Sequence, residues 1–148
     1  MSGEMRDLYQ EIILDHNRNP RNYKKPGDAN REAEGYNPLC GDHYKLWLTL
    51  DGESIRDFGF DGSGCAISKA SASVMGTLIK GKSADEARAM YETFRKLVTG
   101  EQKPDIEEAG KMAAFGGVSD FPVRVKCAIL AWHAMKGALE GADTVSTE

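Results

Sequence analysis

The chain of 148 residues is long enough to bury a core of its own, and its 41% apolar and 28% charged residues are typical of globular proteins. A net charge of −4 argues against general nucleic-acid binding, which needs clustered basic residues. No apolar run reaches the about 20 residues of a membrane span, and the opening MSGEMRDLYQ lacks the pattern of a secretory signal. We therefore expect one domain, residues 1–148, in the cytoplasm.

The first third of the chain predicts a helix and the beginning of a sheet. Apolar residues recur at helical spacing over residues 6–16, and Asn19-Pro20 ends that helix. The following polar stretch, 21–30, favours a solvated turn over a patch for an acidic partner. The basic residues behind that alternative are Arg18, Arg21, Lys24 and Lys25. Residues 32–36 are expected to form a short edge strand.

The middle of the chain predicts a β-hairpin. Apolar and polar residues alternate over 44–50, the pattern of a half-buried strand. Asp51-Gly52 then indicates a tight turn into a returning strand over 55–60. Residues 62–65 are expected to form a mobile loop. With 32–36, these segments predict a small antiparallel three-stranded sheet.

The remainder of the chain predicts helices. Residues 66–80 favour a helix, and the capping box Ser83–Glu86 opens another helix that stops at Gly100. A last helix is expected from Pro122 to about residue 139. The segment 101–120 is irregular, with room for one short helix at 106–115. This order predicts an α+β fold in which helices cover the sheet.

Three cysteines, Cys40, Cys65 and Cys127, are the first candidates for chemistry. Their odd number and wide spacing argue against a disulfide framework, which leaves core residues, metal ligands or reactive thiols. Cys40 and Asp42 lie two residues apart, so that in extended chain both side chains project to the same side. Gly41 between them allows the backbone to bend. An ordinary turn is the alternative for this triplet.

The other two cysteines lie at helices. Cys65 precedes a helix, where unpaired N–H groups favour a thiolate, although a small residue there could simply allow close packing. Cys127 lies on the apolar face of the last helix, which favours a core residue. The cations Arg124 and Lys126 close to it would favour an ionised thiol instead.

Three thiolates and one carboxylate would complete a tetrahedral zinc site, although iron–sulfur clusters use similar ligands. The histidines are weaker candidates. His43 is expected to face away from Asp42, His16 to suit the helix C-terminus as a cation, and His133 to be structural. A Ser-His-Asp or Cys-His hydrolase has no local signature in this chain.

Four segments together resemble the superfamily of iron–sulfur scaffold proteins that contains IscU, SufU and the NifU N-terminal domain. They occur in that family's order along nearly the whole chain and are specific in combination. These segments are Asp15-His16-Asn17-Arg18-Asn19-Pro20-Arg21-Asn22, Asn37-Pro38-Leu39-Cys40-Gly41-Asp42, Gly62-Ser63-Gly64-Cys65-Ala66-Ile67-Ser68 and Arg124-Val125-Lys126-Cys127.

Three features resemble the SufU-type zinc-dependent sulfurtransferases rather than the cluster-building scaffolds. The segment 101–120 looks like an insertion between the second and third cysteines. Lys126 stands where the scaffolds carry a metal-binding histidine. The chaperone-recognition segment of the scaffolds is replaced by 121–125, in which Arg124 takes the position of a lysine.

The resemblance implies an IscU/SufU-like fold, a zinc ion as cofactor and a sulfurtransferase activity in iron–sulfur cluster assembly. It implies that Cys40, Asp42, Cys65 and Cys127 ligate zinc, that Cys40 accepts persulfide sulfur, and that Arg124 lies beside the metal. The implied partner is a SufS-type, pyridoxal-phosphate cysteine desulfurase, whose histidine replaces Cys40 on zinc. The sulfur would then pass from a monomeric carrier to a cluster-assembly complex or a reductant.

Two other functions stay open at this point. A scaffold on which a 2Fe–2S cluster is assembled and transferred would use the same ligands. A purely structural zinc domain would unfold in a Cys40→Ala variant, although the apolar content is sufficient for a core without metal. Because Cys40 lies beside Gly41 on a turn, we expect it to be the ligand that is released most easily, and a rigidly buried Cys40 would contradict this.

Overall fold

The computed structural model describes residues 3–141 and 144–146, with side chains over 6–141. The ends of the expected domain 1–148 and the first two residues of the MSGEMRDLYQ segment lie outside the described residues. The elements in chain order are α1 Gly3–Arg18, β1 Arg31–Asn37, β2 Asp42–Asp51, β3 Ser54–Ser63, α2 Ala66–Ile79, α3 Ala84–Thr99, α4 Ile106–Ala109, a 3₁₀ segment Gly110–Asp120, α5 Pro122–Glu140 and β4 Thr144–Ser146.

The sheet has the strand order β3-β2-β1-β4. Strands β1, β2 and β3 form the predicted antiparallel three-stranded meander, so the α+β fold class is confirmed. The short β4 adds to the outer side of β1 in parallel, pairing Thr144 with Glu34. Its three residues are too few to show an alternating pattern, and the sequence analysis did not predict it.

One face of the sheet forms the core together with α2 and α5. Alternate residues of β2, Tyr44, Leu46 and Leu48, are buried on that face. Helix α5 packs against β1 and β2, and α2 packs against β3 and α5. Each fully buried large apolar side chain stabilises the fold by about 1.5–3 kcal/mol. This core fixes where the first residues of β2, α2 and α5 lie relative to one another.

The polar stretch after α1 crosses strand β3. Tyr23 stacks on Phe60 of β3 with ring centroids 5.0 Å apart, and Pro26 is buried. A Cβ on Gly59 would lie 1.9 Å from the carbonyl oxygen of Lys24, so only glycine permits this close crossing. The stretch is therefore packed on the sheet, with Lys24 itself exposed to solvent.

The predicted helices are confirmed, with one correction at a strand end. The capping box of α3 is formed, Gly100 ends that helix at φ +84°, and α5 begins at Pro122. The predicted mobile loop is wrong for Gly62 and Ser63, because they extend β3 and pair with the first residues of β2. Within the described residues, none of the helices is both long and apolar enough to cross a lipid bilayer.

Candidate metal centre

The β1–β2 connection positions Cys40 and Asp42. The antiparallel ladder pairs Asn37 with Asp42, so residues 38–41 form the turn that joins the two strands. Gly41 adopts φ +71°, a left-handed conformation that glycine accepts without strain. As a result Cys40 lies on the exposed turn, whereas Asp42, at the first position of β2, is only 1% exposed.

Helix α5 brings Cys127 to the same point. Ligand atoms of Cys40, Asp42 and Cys127 all lie within 4.8 Å of one another, and the sulfurs of the two cysteines are 3.2 Å apart. Burial, together with the nearby thiol of Cys40 and carboxylate of Asp42, raises the pKa of the Cys127 thiol. The alternative in which Arg124 and Lys126 favour an ionised Cys127 is not supported, because the pKa of this thiol is raised.

Cys65 lies beside this group and is not part of it. Its backbone N–H donates to Asp42 Oδ1 at 2.9 Å, which ties the start of α2 to the carboxylate. Its sulfur accepts the backbone N–H of Ser68 at 3.4 Å and so caps the helix. A Cβ on Gly64 would lie 2.4 Å from Asp42 Oδ1, so glycine is required where this loop passes the carboxylate.

Three donors hold the carboxylate of Asp42. Oδ1 accepts from the Cys65 N–H and from the Ser68 hydroxyl at 3.2 Å, and Oδ2 accepts from the Asn37 amide at 2.9 Å. These three hydrogen bonds fix the position of the Asp42 carboxylate beside Cys127.

The three thiols and Arg124 line one side of a cavity of about 680 Å³ between α1, the 3₁₀ segment and the start of α5. The surface around it is apolar, with Leu39 62%, Phe121 52% and Val123 51% exposed. The guanidinium carbon of Arg124 lies 5.0 Å from the centroid of the Phe121 ring. Arg124, Phe121 and Val123 thus line the same cavity as the exposed Cys40, and Leu39 is exposed directly before Cys40 in the chain.

A family model described as the NifU-like N-terminal domain matches residues 8–139. This chain belongs to that family. It is 42% identical over 129 residues to the zinc-dependent sulfurtransferase SufU of Bacillus subtilis, a match that covers 87% of both chains. It is 36% identical over 138 residues to the iron–sulfur cluster assembly scaffold protein IscU of Streptococcus pyogenes, covering 93% of this chain and 86% of that protein.

The NifU-like fold is also found in solved structures. The crystal structure of an iron–sulfur cluster assembly scaffold protein for the SUF system from Fervidobacterium islandicum superposes with a TM-score of 0.81 at 36% identity. The match covers 93% of this chain and 99% of that one. The resemblance identified from the four sequence segments is confirmed.

The donor set of this NifU-like domain fits zinc. Tetrahedral zinc with bonds of about 2.3 Å to sulfur places neighbouring ligand atoms about 3.7 Å apart. The ligand atoms of Cys40, Asp42 and Cys127 lie within 4.8 Å of one another and the two sulfurs 3.2 Å apart, so small adjustments would bring them to that spacing. Cys65 completes a set of three thiolates and one carboxylate if its sulfur turns from the helix cap toward Cys127.

The three histidines of the NifU-like domain are engaged elsewhere. His43 bonds to Glu34 at 3.0 Å on the exposed side of the sheet, and His133 bonds to the Tyr91 hydroxyl, as expected of residues that are not ligands. The expectation of a cationic His16 at a helix end is wrong. His16 is 1% exposed, and burial with nearby Arg21 and Lys111 lowers its pKa to about 4.

Two residues that contact the donor group were missed by the sequence analysis. The amide nitrogen of Asn37 lies 2.9 Å from Asp42 Oδ2 and 3.3 Å from the sulfur of Cys127. Ser68 contacts both Asp42 and Cys65. For both residues the sequence contains a feature that could have indicated this role. Asn37 directly precedes the turn that carries Cys40, and Ser68 follows Cys65 at the spacing of a helix cap.

Proposed function

We propose that this protein is a zinc-dependent sulfurtransferase that accepts persulfide sulfur at Cys40 and passes it on for iron–sulfur cluster assembly. One observation carries this proposal: of the three donors gathered at the site, only the Cys40 thiol is exposed, and it lies at an open cavity. A sulfur that must meet another protein's persulfide needs such exposure. Asp42 and Cys127 are buried and suited to hold a metal.

The proposed step is a thiol–persulfide exchange. The Cys40 thiolate attacks the outer sulfur of a cysteine persulfide on the donor protein. A new S–S bond forms on Cys40, the old one breaks, and the donor cysteine leaves as a thiolate, so no external oxidant or reductant is consumed. Arg124, on the wall of the same cavity, would balance the negative charge of the incoming sulfur.

Zinc, when bound by Cys40, Asp42, Cys65 and Cys127, would keep the thiols deprotonated and has no redox chemistry of its own. The protein itself positions the ligands. Burial holds Cys127 and Asp42 in place, and the turn at Gly41 leaves Cys40 free to approach a partner. The thiol of Cys40 is therefore the one that reacts.

We propose a SufS-type cysteine desulfurase as the sulfur donor, on the basis of the 42% identity to a protein named a zinc-dependent sulfurtransferase. The apolar rim of Leu39, Phe121 and Val123 offers a surface for that partner to cover. The acceptor would be a cluster-assembly complex in the cytoplasm, where free thiols persist. We propose that a monomer, folded as one domain over residues 1–148, carries out this transfer.

The test is the rate of alanine release from cysteine by the desulfurase, with wild-type protein, Cys40→Ala, Arg124→Ala and chelator-treated samples. Strong stimulation by the zinc-loaded wild type, lost in Cys40→Ala and after chelation, is expected. Arg124→Ala should stimulate weakly while it still binds zinc. Full stimulation by chelated protein would contradict the proposal.

A scaffold for a 2Fe–2S cluster is the second candidate, since a protein named as a scaffold is 36% identical over 93% of this chain. The same donors could hold such a cluster as cargo. In the alanine-release experiment a scaffold gives little stimulation. Supplied with iron and sulfide instead, it would acquire a visible cluster spectrum and transfer it to an acceptor protein.

A further inference from the structure

Asn37 makes an unusual contact with the donor group. Its side chain is fully buried, and its amide nitrogen lies within hydrogen-bonding distance of both Asp42 Oδ2, at 2.9 Å, and Cys127 Sγ, at 3.3 Å. An amide nitrogen carries two N–H groups, so each ligand atom can receive one. The two ligands come from β2 and α5, and Asn37 joins them.

Asp42 and Cys127 set the orientation of this amide, and in that orientation the amide oxygen has no hydrogen-bond partner among the described residues. This oxygen, Oδ1, is buried. Turning the amide over would bring Oδ1 against the Asp42 carboxylate, two acceptors in contact. A buried unpaired carbonyl is unfavourable, so its retention points to a gain at the two ligand atoms.

The three thiols differ in the N–H groups that they accept. Cys127 accepts from the Asn37 amide, and Cys65 accepts from the Ser68 backbone N–H. Among the described residues, the donor found for Cys40 is the thiol of Cys127, which is lost once Cys127 is deprotonated. An N–H bond withdraws charge from a metal-bound thiolate and helps to hold it in position.

We infer that Asn37 is a positioning residue that fixes Asp42 and Cys127 as permanent metal ligands and leaves the exposed Cys40 as the ligand that is released most easily. This inference deepens the proposed function and rests on it for the role of Cys40. The link between Asn37 and the metal is independent of sulfur transfer. Among the described residues, the Asn37 side chain donates to Asp42 and Cys127, so it acts on Cys40 through these two ligands.

The experiment compares Asn37→Ala with the wild type in binding of zinc alone. Competition with a coloured chelator should show zinc affinity lower by about 10–100-fold, the usual effect of removing a partner of metal ligands. In the cobalt-substituted protein, the sulfur-to-cobalt charge-transfer band should move to lower energy, because Cys127 becomes more electron-rich. A purely structural role for Asn37 would not shift this band.

Ser73→Ala is the matched control, since Ser73 is also a fully buried polar residue and contacts His16 and Arg21 rather than the donor group. It should lower stability and leave the cobalt band and zinc affinity unchanged. Asn37→Leu, which keeps the volume of the side chain without its N–H groups, should behave like Asn37→Ala and guards against a collapse of the alanine variant.

A measurement on the wild type avoids variants altogether. In protein loaded with an NMR-active cadmium isotope, the Asn37 side-chain amide protons should show scalar coupling to the metal through the Cys127 sulfur. No coupling, or an unshifted cobalt band with unchanged zinc affinity in the folded variants, would overturn the inference. If these results are as expected but alanine release is not stimulated, the proposed function fails and the role of Asn37 stands.

Discussion

Two buried polar networks connect to helix α2, and they are built differently. The framework network joins His16, Arg21 and Ser73: the Ser73 hydroxyl lies 2.7 Å from His16 Nδ1 and accepts the Arg21 backbone N–H at 2.8 Å. The site network joins Asn37, Asp42, Cys127 and the start of α2. Each network ties segments that are distant in the chain.

The difference lies in how completely the groups are paired. In the framework network both nitrogens of His16 have neighbours, Ser73 and, at 3.4 Å, Lys111 Nζ. The site network leaves Asn37 Oδ1 unpaired and keeps a raised pKa at Cys127. A fully paired network stabilises a fold, whereas a buried network that lacks a counter-charge has a place for a cation.

The largest effect is expected at Asp42. Asp42→Ala removes the acceptor of the Asn37 amide, the Cys65 N–H and the Ser68 hydroxyl, and buried unpaired donors are costly. We expect a loss of about 4 kcal/mol in the free energy of unfolding and zinc affinity lower by at least about 100-fold. Urea denaturation and chelator competition measure the two quantities.

Asp42→Asn is the control for shape. It keeps an accepting oxygen and should lose about half as much stability, with zinc affinity still strongly reduced because the anionic ligand is gone. If Ser73→Ala in the framework network lowered zinc affinity as much as Asp42→Ala does, the division between the two networks would be wrong.

The framework network should make stability depend on pH through His16. Its pKa is lowered from 6.5 to about 4 by burial and by Arg21 and Lys111, while Asp15 acts in the opposite direction. The unfolded chain therefore takes up this proton at a higher pH than the folded protein does. The contribution of neutral His16 to the free energy of unfolding is complete above pH 6.5. It decreases as the pH falls toward 4, by up to about 3 kcal/mol in all.

The test compares the free energy of unfolding of wild type and His16→Gln at several pH values between 4 and 7. Glutamine can still donate to Ser73 but does not titrate. The difference between the two proteins should shrink as the pH falls, and zinc affinity at pH 7 should be equal. A difference independent of pH would mean that His16 is not the titrating group.

Elements whose causes are local could be predicted from the sequence. Alternation predicts β2, the capping box predicts the start of α3, and Cys40 with Asp42 could be placed on one side of a turn. Contacts between residues far apart in the chain could not be predicted. His16 meets Ser73 across 57 positions, and Asn37 meets Cys127 across 90, and no local pattern encodes either contact. The resemblance to a family implied the set Cys40, Asp42, Cys65 and Cys127, of which the structure gathers Cys40, Asp42 and Cys127.

A smaller effect is expected at Gly59, where the stretch that carries Arg21 crosses β3. A Cβ at this position would lie 1.9 Å from the Lys24 carbonyl oxygen, so Gly59→Ala must displace the crossing segment. We expect a loss of about 2–3 kcal/mol in stability. Zinc affinity should be unchanged, because the displaced segment belongs to the framework network and not to the site network.

Gly27→Ala is the matched control for this prediction. Gly27 lies in the same stretch, but a Cβ there would have no neighbour within 4 Å. Its effect on urea denaturation should stay within about 0.5 kcal/mol. Equal effects of the two substitutions would show that the crossing at Gly59 is not tightly packed.

The smallest effect is expected at the cap of α3, away from both networks. The Ser83 hydroxyl accepts the Glu86 N–H and the Glu86 carboxylate accepts the Ser83 N–H, each at 3.1 Å. Ser83→Ala should lower the free energy of unfolding by about 1 kcal/mol, and Glu86→Gln by less, since its amide oxygen still accepts. Zinc affinity should not change in either variant. If zinc affinity fell together with stability in these variants, the loss of metal binding would reflect unfolding of the whole protein. Only a loss of zinc affinity larger than the loss of stability could then be assigned to the site network.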